Sequence, residues 1–289
     1  MTYDLVMITP FINKNYIFEF LNSVKGVKEV KICLVLVDML NTPISLNDFL
    51  VYKSSDLDIV HLKIGKKLSS SKSRNEGLNY IARSNKKYKF LMFPDDDTTF
   101  DSSFYKEFKN LESGNYILNL FTEGLKEPYA KYYKADRSLM SQENINYVGC
   151  VRFLFSSKLI QELGLFDENM GVGAKYGSGE DGDYFLRALK FSPLIYLKSL
   201  YTFHPSPKDT YSKISMNSML VRFSNYSKGA IFLCFKHKMY FKAVKFIFRA
   251  LVGFVISILK FDIRIALGYL YAFFIRLRTF IILVLKANC

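Results

Sequence analysis

Asp95, Asp96 and Asp97 stand together at the end of the apolar run Phe90-Leu91-Met92-Phe93-Pro94, and their chemistry is that of ligands for a hard cation. Carboxylate oxygens are the groups that Mg²⁺ and Mn²⁺ prefer, and an ion held by one or two of them keeps positions free for phosphate oxygens. Adjacent negative charges repel, so a cleft keeps them only where they are solvated or share a cation. An acidic turn in water is the other reading of an isolated triplet. A calcium loop is excluded, although Asp95, Asp97, Thr99 and Asp101 alternate as its ligands do. Phe100 stands where the sharp turn needs Gly, and Lys106 where the bidentate Glu belongs.

A second acidic set, Glu180-Asp181, follows the glycine-rich stretch Gly171 to Gly179 at the start of a helical pattern. The glycines read either as a loose connection or as a loop that lets backbone approach a ligand. In the first turn of a helix the dipole favours the charged form of both acids. A carboxylate kept ionised near an acceptor hydroxyl can serve as a general base.

The elements that must position these residues follow the rhythm of an α/β sheet. Leu5 to Thr9, closed by Pro10, Lys31 to Val37, ended by Asp38, and Lys89 to Phe93 are apolar runs of the kind buried on both faces in parallel sheets. Such sheets bind ligands beyond the carboxyl ends of their strands, which is where the Asp triplet falls. Asp58 to Ile64 alternates, with His61 on the polar, solvent-facing side. Helical spacing is predicted over Tyr16 to Val24, Lys72 to Arg83, Ser103 to Leu111, Lys158 to Leu163 and Glu180 to Lys190. Further strands are predicted at Tyr116 to Phe121 and Val148 to Phe155. The fold class is α/β, a mixed and mostly parallel sheet flanked by helices, with an amphipathic helical region at the C-terminal end.

In this order the motifs resemble those of family 2 inverting glycosyltransferases, whose fold is the Rossmann-like GT-A nucleotide-sugar-binding fold. The matching pieces are Thr9-Pro10, Asp38, Ser73-Arg74-Asn75-Glu76-Gly77-Leu78, Asp95-Asp96-Asp97 and Gly164-Leu165-Phe166-Asp167-Glu168. Gly177-Ser178-Gly179-Glu180-Asp181 with Arg187, and then His204-Pro205, complete the set. The resemblance covers residues 3 to 207. It implies a nucleotide sugar, UDP-linked, bound by Thr9, Pro10, Asp38, Arg74, Asp95 and Asp96, with Arg74 reaching the diphosphate. It implies a divalent cation, Mn²⁺ or Mg²⁺, held by Asp97, Asp95 and His204. Asp181 is the implied base, and Glu180 binds the acceptor or supports the helix start and is the alternative base. Acceptor contacts are expected in Phe121 to Asn146 and in the glycine loop.

Charge divides the chain unevenly. Residues 1 to 207 hold 26 Lys and Arg against 24 Asp and Glu, whereas residues 208 to 289 hold 14 against 2. The expected domains are therefore a catalytic domain, 1–207, and a basic region, 208–289. Within that region the uncharged runs Ala250 to Leu259 and Ile265 to Ile275 are shorter than a span of about 20 residues. Lys238, Lys242, Lys245 and Arg249 share a helical face opposite Phe241, Val244, Phe248 and Leu251, the pattern of a helix lying in a membrane interface. Packing of these apolar faces on another part of the protein is the alternative. Nucleic acid is excluded as a partner, because the cations alternate with aliphatic segments and no nucleic-acid motif accompanies them. Cys33, Cys150, Cys234 and Cys289 are too scattered for a zinc site or a disulfide framework. Met1 to Thr9 lacks the basic and long apolar regions of a signal peptide and reads as a first strand.

The resemblance implies sugar transfer to a lipid-linked or oligosaccharide acceptor in surface polysaccharide assembly, and with the basic region it predicts a cytoplasmic enzyme peripheral at the inner face of the plasma membrane. A sugar-phosphate nucleotidyltransferase would need a Gly-rich, Arg-containing loop after the first strand, and Thr9-Pro10-Phe11-Ile12-Asn13 is not one. A non-catalytic membrane-associated binding protein is the remaining alternative.

Overall fold

The computed structural model describes residues 2–122, 135–205 and 214–287. Contacts divide the chain into two units. The first comprises Met1–Phe166 and Tyr184–Ser206, and the second Asp167–Asp183 and Pro207–Cys289.

The first unit is built on an eight-stranded sheet in the order β3-β2-β1-β4-β7-β5-β8-β6. Its strands are β1 (Thr2–Phe11), β2 (Ile32–Asp38), β3 (Leu57–Lys63), β4 (Lys87–Met92), β5 (Tyr116–Thr122), β6 (Ser138–Leu139), β7 (Phe153–Ser156) and β8 (Ile195–His204). β1, β2, β3 and β4 are mutually parallel, as are β5 and β8, whereas β7 runs antiparallel between β4 and β5. Every residue of β2 is buried, as its unbroken apolar run requires of a strand covered on both faces. The main core joins Leu5, Met7, Leu34, Leu36, Phe90 and Met92 of these strands to Ile17, Phe20 and Leu21 of α1 (Lys14–Val24).

β1 has β2 on one side and β4 on the other, so the strand order reverses at the β1/β4 junction. Crevices at such a reversal are the ligand sites of open α/β sheets.

Helix α3 (Ser70–Arg83) starts at Ser69, whose hydroxyl accepts from the Lys72 N–H. It lies hard against β1 because Gly77 has no side chain; a Cβ there would come within 2.3 Å of Ile8 Cγ2. This close approach fixes Arg74, one turn earlier, as a buried residue of the same helix. Asn75 holds the Gly164-Leu165-Phe166 segment, donating to the Phe166 carbonyl at 3.0 Å and accepting from its N–H at 2.8 Å.

The other helices of this unit are α2 (Leu46–Leu50), α4 (Ser102–Lys109) and α5 (Ser157–Leu163), together with most of α6 (Glu180–Phe191). α2 lies in a stretch for which the sequence reading predicts no element, and it is anchored by buried Phe49. The predicted strand Val148 to Phe155 is shorter in the structure. Residues Cys150–Arg152 form a 3₁₀ turn that lets the Arg152 guanidinium reach inward to the carbonyls of Leu118 and Tyr147, so pairing begins only at Phe153.

Among the described residues the second unit holds the Asp167–Asp183 loop and three helices, Met216–Lys236, Tyr240–Leu259 and Ile263–Ala287. Ile231, Cys234, Ala243 and Ile247 form its core. On the Tyr240–Leu259 helix the buried stripe is Ala243, Ile247, Ala250 and Ser257, leaving Phe241, Phe248, Val252, Val255 and Leu259 exposed. The last helix runs unbroken through Arg276 and Arg278. It is, among the described residues, the one helix long and apolar enough to cross a membrane, which the short uncharged runs of the sequence do not reveal.

Candidate active site

The chain after β4 is tied down on two sides. Toward β1, the Ile12 N–H donates to Asp96 Oδ2 at 3.3 Å. Toward β8, Thr99 and Phe203 exchange both backbone hydrogen bonds at 3.0 Å. Between these ties the triplet turns sharply: the Thr98 N–H donates to the Asp95 carbonyl at 3.1 Å, and the Asp95 N–H to Thr98 Oγ1 at 3.2 Å. The Thr99–Phe203 bridge brings the last residue of β8, His204, to the carboxylates. His204 Nε2 lies 3.1 Å from Asp97 Oδ1 and 4.0 Å from Asp95 Oδ2. Ligand atoms of Asp95, Asp97 and His204 all fall within 4.8 Å of one another.

These residues fit a divalent cation. Two carboxylates and one imidazole form a hard-to-borderline donor set. Asp97 Oδ1 is buried and faces His204 Nε2. His204 Nδ1 faces the Pro205 carbonyl at 3.0 Å, an arrangement that puts the ring proton there and turns the Nε2 lone pair toward the acids. Burial alone would lower the His204 pKa, but the bond to Asp97 and the charges of Asp97 and Asp95 outweigh it and raise the value to about 9. In a metal-free site the imidazolium thus stands in for the cation, and metal binding displaces its proton.

Arg74 supplies a second positive group, with Nη2 donating to Asp95 Oδ1 at 3.0 Å. It is a buried residue of the cleft rather than a surface helix Arg. Asp96 differs from its neighbours. Burial, the strongest influence, together with the charges of Asp97 and Asp95, pushes its pKa up to about 6, against the lowering effect of the Ile12 and Asn13 N–H groups. Its oxygen links the end of β1 to the turn.

Asp38 is fully buried and already supplied with donors. Oδ1 accepts from the Leu40 N–H at 3.0 Å, and Oδ2 from the Ile44 N–H at 2.9 Å and faces His61 Nε2 at 2.9 Å. The carboxylate therefore shapes the loop after β2, where the resemblance implies a direct nucleotide contact. His61 is a correction to the sequence reading, which puts it in solvent. Only 1% of its side chain is exposed, since β3 carries it beneath that loop and against Phe49. Strict alternation misassigned it because a short helix, α2, covers the face that would otherwise be wet. Thr9 is buried within β1, which runs past Pro10 to Phe11, and its hydroxyl has no partner among the described residues.

Glu180 and Asp181 occupy the first turn of α6, Glu180 buried and Asp181 half-buried. The preceding loop is a defined structure rather than a loose connection. Gly177 and Gly179 have φ of +69° and +92°, and a Cβ on Gly229 of the Met216–Lys236 helix would lie 2.3 Å from the Ser178 carbonyl oxygen. Asp183, two positions after Asp181, was not singled out by the sequence. It is buried against Lys236 and His237, each at 2.9 Å, and Lys236 also reaches Asp167 at 2.7 Å. The Lys236-His237-Lys238 run thus closes on acids of the glycine loop instead of forming a bare basic patch. Of the expected acceptor region, residues 123–134 lie outside the described residues.

A cavity of about 720 Å³ opens between the end of α3, the start of β4 and α5. It lies away from the acids, and no carboxylate or imidazole lines it.

A mixed, mostly parallel sheet with acids at its β1/β4 reversal and a histidine closing β8 is the GT-A fold of glycosyltransferases, and solved structures similar to this chain share it. They include TarS of S. aureus (TM-score 0.54, 18% identity, 77% of this chain and 40% of that one) and its fragment 1–349 in complex with UDP (TM-score 0.52, 19% identity, 80% and 70%). The mannosyltransferase PcManGT of Pyrobaculum calidifontis, solved with GDP-Man and Mn²⁺, is similar over 96% of this chain and 74% of its own (TM-score 0.53, 13% identity). The chain thus spans about 40% of the full-length TarS chain. No protein-family model matches the sequence, and no curated protein does either.

Proposed function

We propose that the protein is a metal-dependent, inverting glycosyltransferase of the family 2 type. It moves a sugar from a nucleotide-diphosphate sugar, UDP-linked, to a hydroxyl of a lipid-linked saccharide during surface polysaccharide assembly. The observation that carries this reading is the Asp95, Asp97 and His204 cluster at the strand ends of a GT-A fold. TarS in complex with UDP and PcManGT with GDP-Man and Mn²⁺ support the choice of ligands.

In this reading Asp97, Asp95 and His204 hold the cation, which when bound neutralises the leaving diphosphate as a Lewis acid. Arg74 binds the same diphosphate, where a planar guanidinium matches phosphate geometry. Asp38, through the loop it holds with His61, positions backbone for the base and ribose, and Thr9 and Pro10 line the strand end beside it. Asp96 fixes the turn to β1. Asp181 takes the proton of the acceptor hydroxyl as its oxygen attacks the anomeric carbon; the bond to the diphosphate oxygen breaks on the opposite face, with inversion. Glu180 contacts the acceptor.

Membrane association at the cytoplasmic face suits the second unit. Leu259 and Phe261, at the turn between its last two helices, are 72% and 91% exposed, beside Lys260. Arg276 is held inside the unit by Ser227 and the Phe246 carbonyl. Such internal anchoring favours the last helix lying with its neighbours in the interface over crossing the bilayer alone.

The test is transfer from a panel of nucleotide sugars to a membrane-extracted lipid acceptor with Mn²⁺. Activity is expected to vanish with chelator and to drop about a thousandfold in Asp181→Asn, within the range for loss of a general base. Absence of product across the panel, or full activity in Asp181→Asn, rules the reading out.

A further inference from the structure

The second unit contains a cavity of about 280 Å³ whose wall combines two chemistries. Ile275, Arg278, Ile282 and Lys286 enter it from one face of the Ile263–Ala287 helix, at helical spacing. Lys228 comes from the Met216–Lys236 helix and Lys175 from the glycine loop. Beside Lys175, Tyr176 makes a stiff side wall, its ring stacked on Phe232 with centroids 3.7 Å apart and planes 7° off parallel.

Four cations thus meet around an apolar floor, and among the described residues no acid pairs with any of them or lines the cavity. Lys236, on the same helix as Lys228, shows the contrast: it is neutralised by Asp167 and Asp183. Like charges gathered without counter-charge repel, and a low-dielectric floor strengthens that repulsion, so the cavity favours an anion. The floor also selects the kind of anion. Isoleucine side chains gain nothing from a free, hydrated phosphate but do gain from hydrocarbon attached to one.

We infer that this cavity seats the phosphate or diphosphate of a membrane lipid, with its charged oxygens among Lys175, Lys228, Arg278 and Lys286 and its first chain carbons against Ile275 and Ile282. Its identity as the acceptor's own lipid rests on the proposed glycosyl transfer. In that case the seat acts on the acceptor, because Lys175 belongs to the same loop that leads into Glu180-Asp181. Exposed Phe241, Phe248, Leu259 and Phe261 of the same unit supply the wider membrane contact.

The experiment uses the full chain and vesicles of phosphatidylcholine carrying either a long-chain prenyl phosphate or phosphatidylglycerol at matched surface charge. The wild-type protein is expected to bind the prenyl-phosphate vesicles about tenfold more tightly. The double variant Lys228→Glu, Arg278→Glu changes side chains that, among the described residues, make no ion pair. It should lose that preference while keeping the wild-type melting temperature and the wild-type thermal response to UDP with Mn²⁺. Equal binding of both vesicles by the wild type, survival of the preference in the variant, or equally effective competition by inorganic diphosphate overturns the inference. A lipid preference without any response to UDP and Mn²⁺ supports the lipid seat and counts against glycosyl transfer, so the two readings fail separately.

Discussion

Asp97 and His204 in the first unit lie 3.1 Å apart, and Asp183 and His237 in the second lie 2.9 Å apart, yet the two pairs sit in opposite electrostatic settings. Asp183 also meets Lys236, which binds Asp167 as well, so that acids and bases balance within the cluster. Asp97 has Asp95 and Asp96 beside it, and the Arg74 guanidinium bonds to Asp95. A third pair, Asp38 and His61, is balanced differently again, by backbone N–H groups from Leu40 and Ile44. All three histidines of the chain therefore face an aspartate. Proximity does not separate a cation site from a structural pair; the surplus of negative charge and the lone pairs still available do.

Breaking the surplus has the largest expected effect. Asp97→Asn should remove the Mn²⁺-dependent rise in melting temperature and lower transfer by a factor of about 100 to 1000, as loss of a preorganised charge at a reacting diphosphate does. Unfolding in urea without metal should change less than in Asp183→Asn, because loss of the pairing with the His204 imidazolium is partly offset by relief of repulsion among the three acids. Asp183→Asn tests the opposite case. It leaves His237 without its acid and Lys236 with Asp167 alone, and should cost about 3 kcal/mol of stability, read from the urea midpoint, with the Mn²⁺ response of the folded protein intact. The smallest effect belongs to the backbone-balanced pair. His61→Ala withdraws one of the groups around Asp38 and should cost about 2 kcal/mol, and a weaker response to UDP than to Mn²⁺ would sharpen the assignment of that loop to the nucleotide. If Asp183→Asn abolished the Mn²⁺ response, or Asp97→Asn destabilised the protein as much as Asp183→Asn, the distinction between the pairs would collapse.

The sequence carried most of the first unit's elements because their signals are local. β2 reads as a buried strand from composition alone, and α3 from its helical spacing. Misreadings arose where a distant residue decided the outcome. Arg152 turned half of a predicted strand into a 3₁₀ turn by reaching two carbonyls. The α2 cover buried His61. Asp183 gave no signal at all, since its partners lie more than fifty positions further along the chain, and the last helix looked too charged for its length until Arg276 was seen bonded inside the unit.

By itself the sequence determined residue chemistry and period: an Asp triplet after an apolar strand, glycines before a helix bearing two acids, cations and aromatics at helical spacing. Only the tertiary structure decided which charges meet. The Thr99–Phe203 bridge delivers His204 to Asp97, and the packing of the second unit gives Asp183 its lysine while leaving the four cations of the 280 Å³ cavity without acids among the described residues. The reason is that secondary structure follows from interactions a few residues apart, whereas charge balance at a site is set by whichever strand ends and loops the fold brings together.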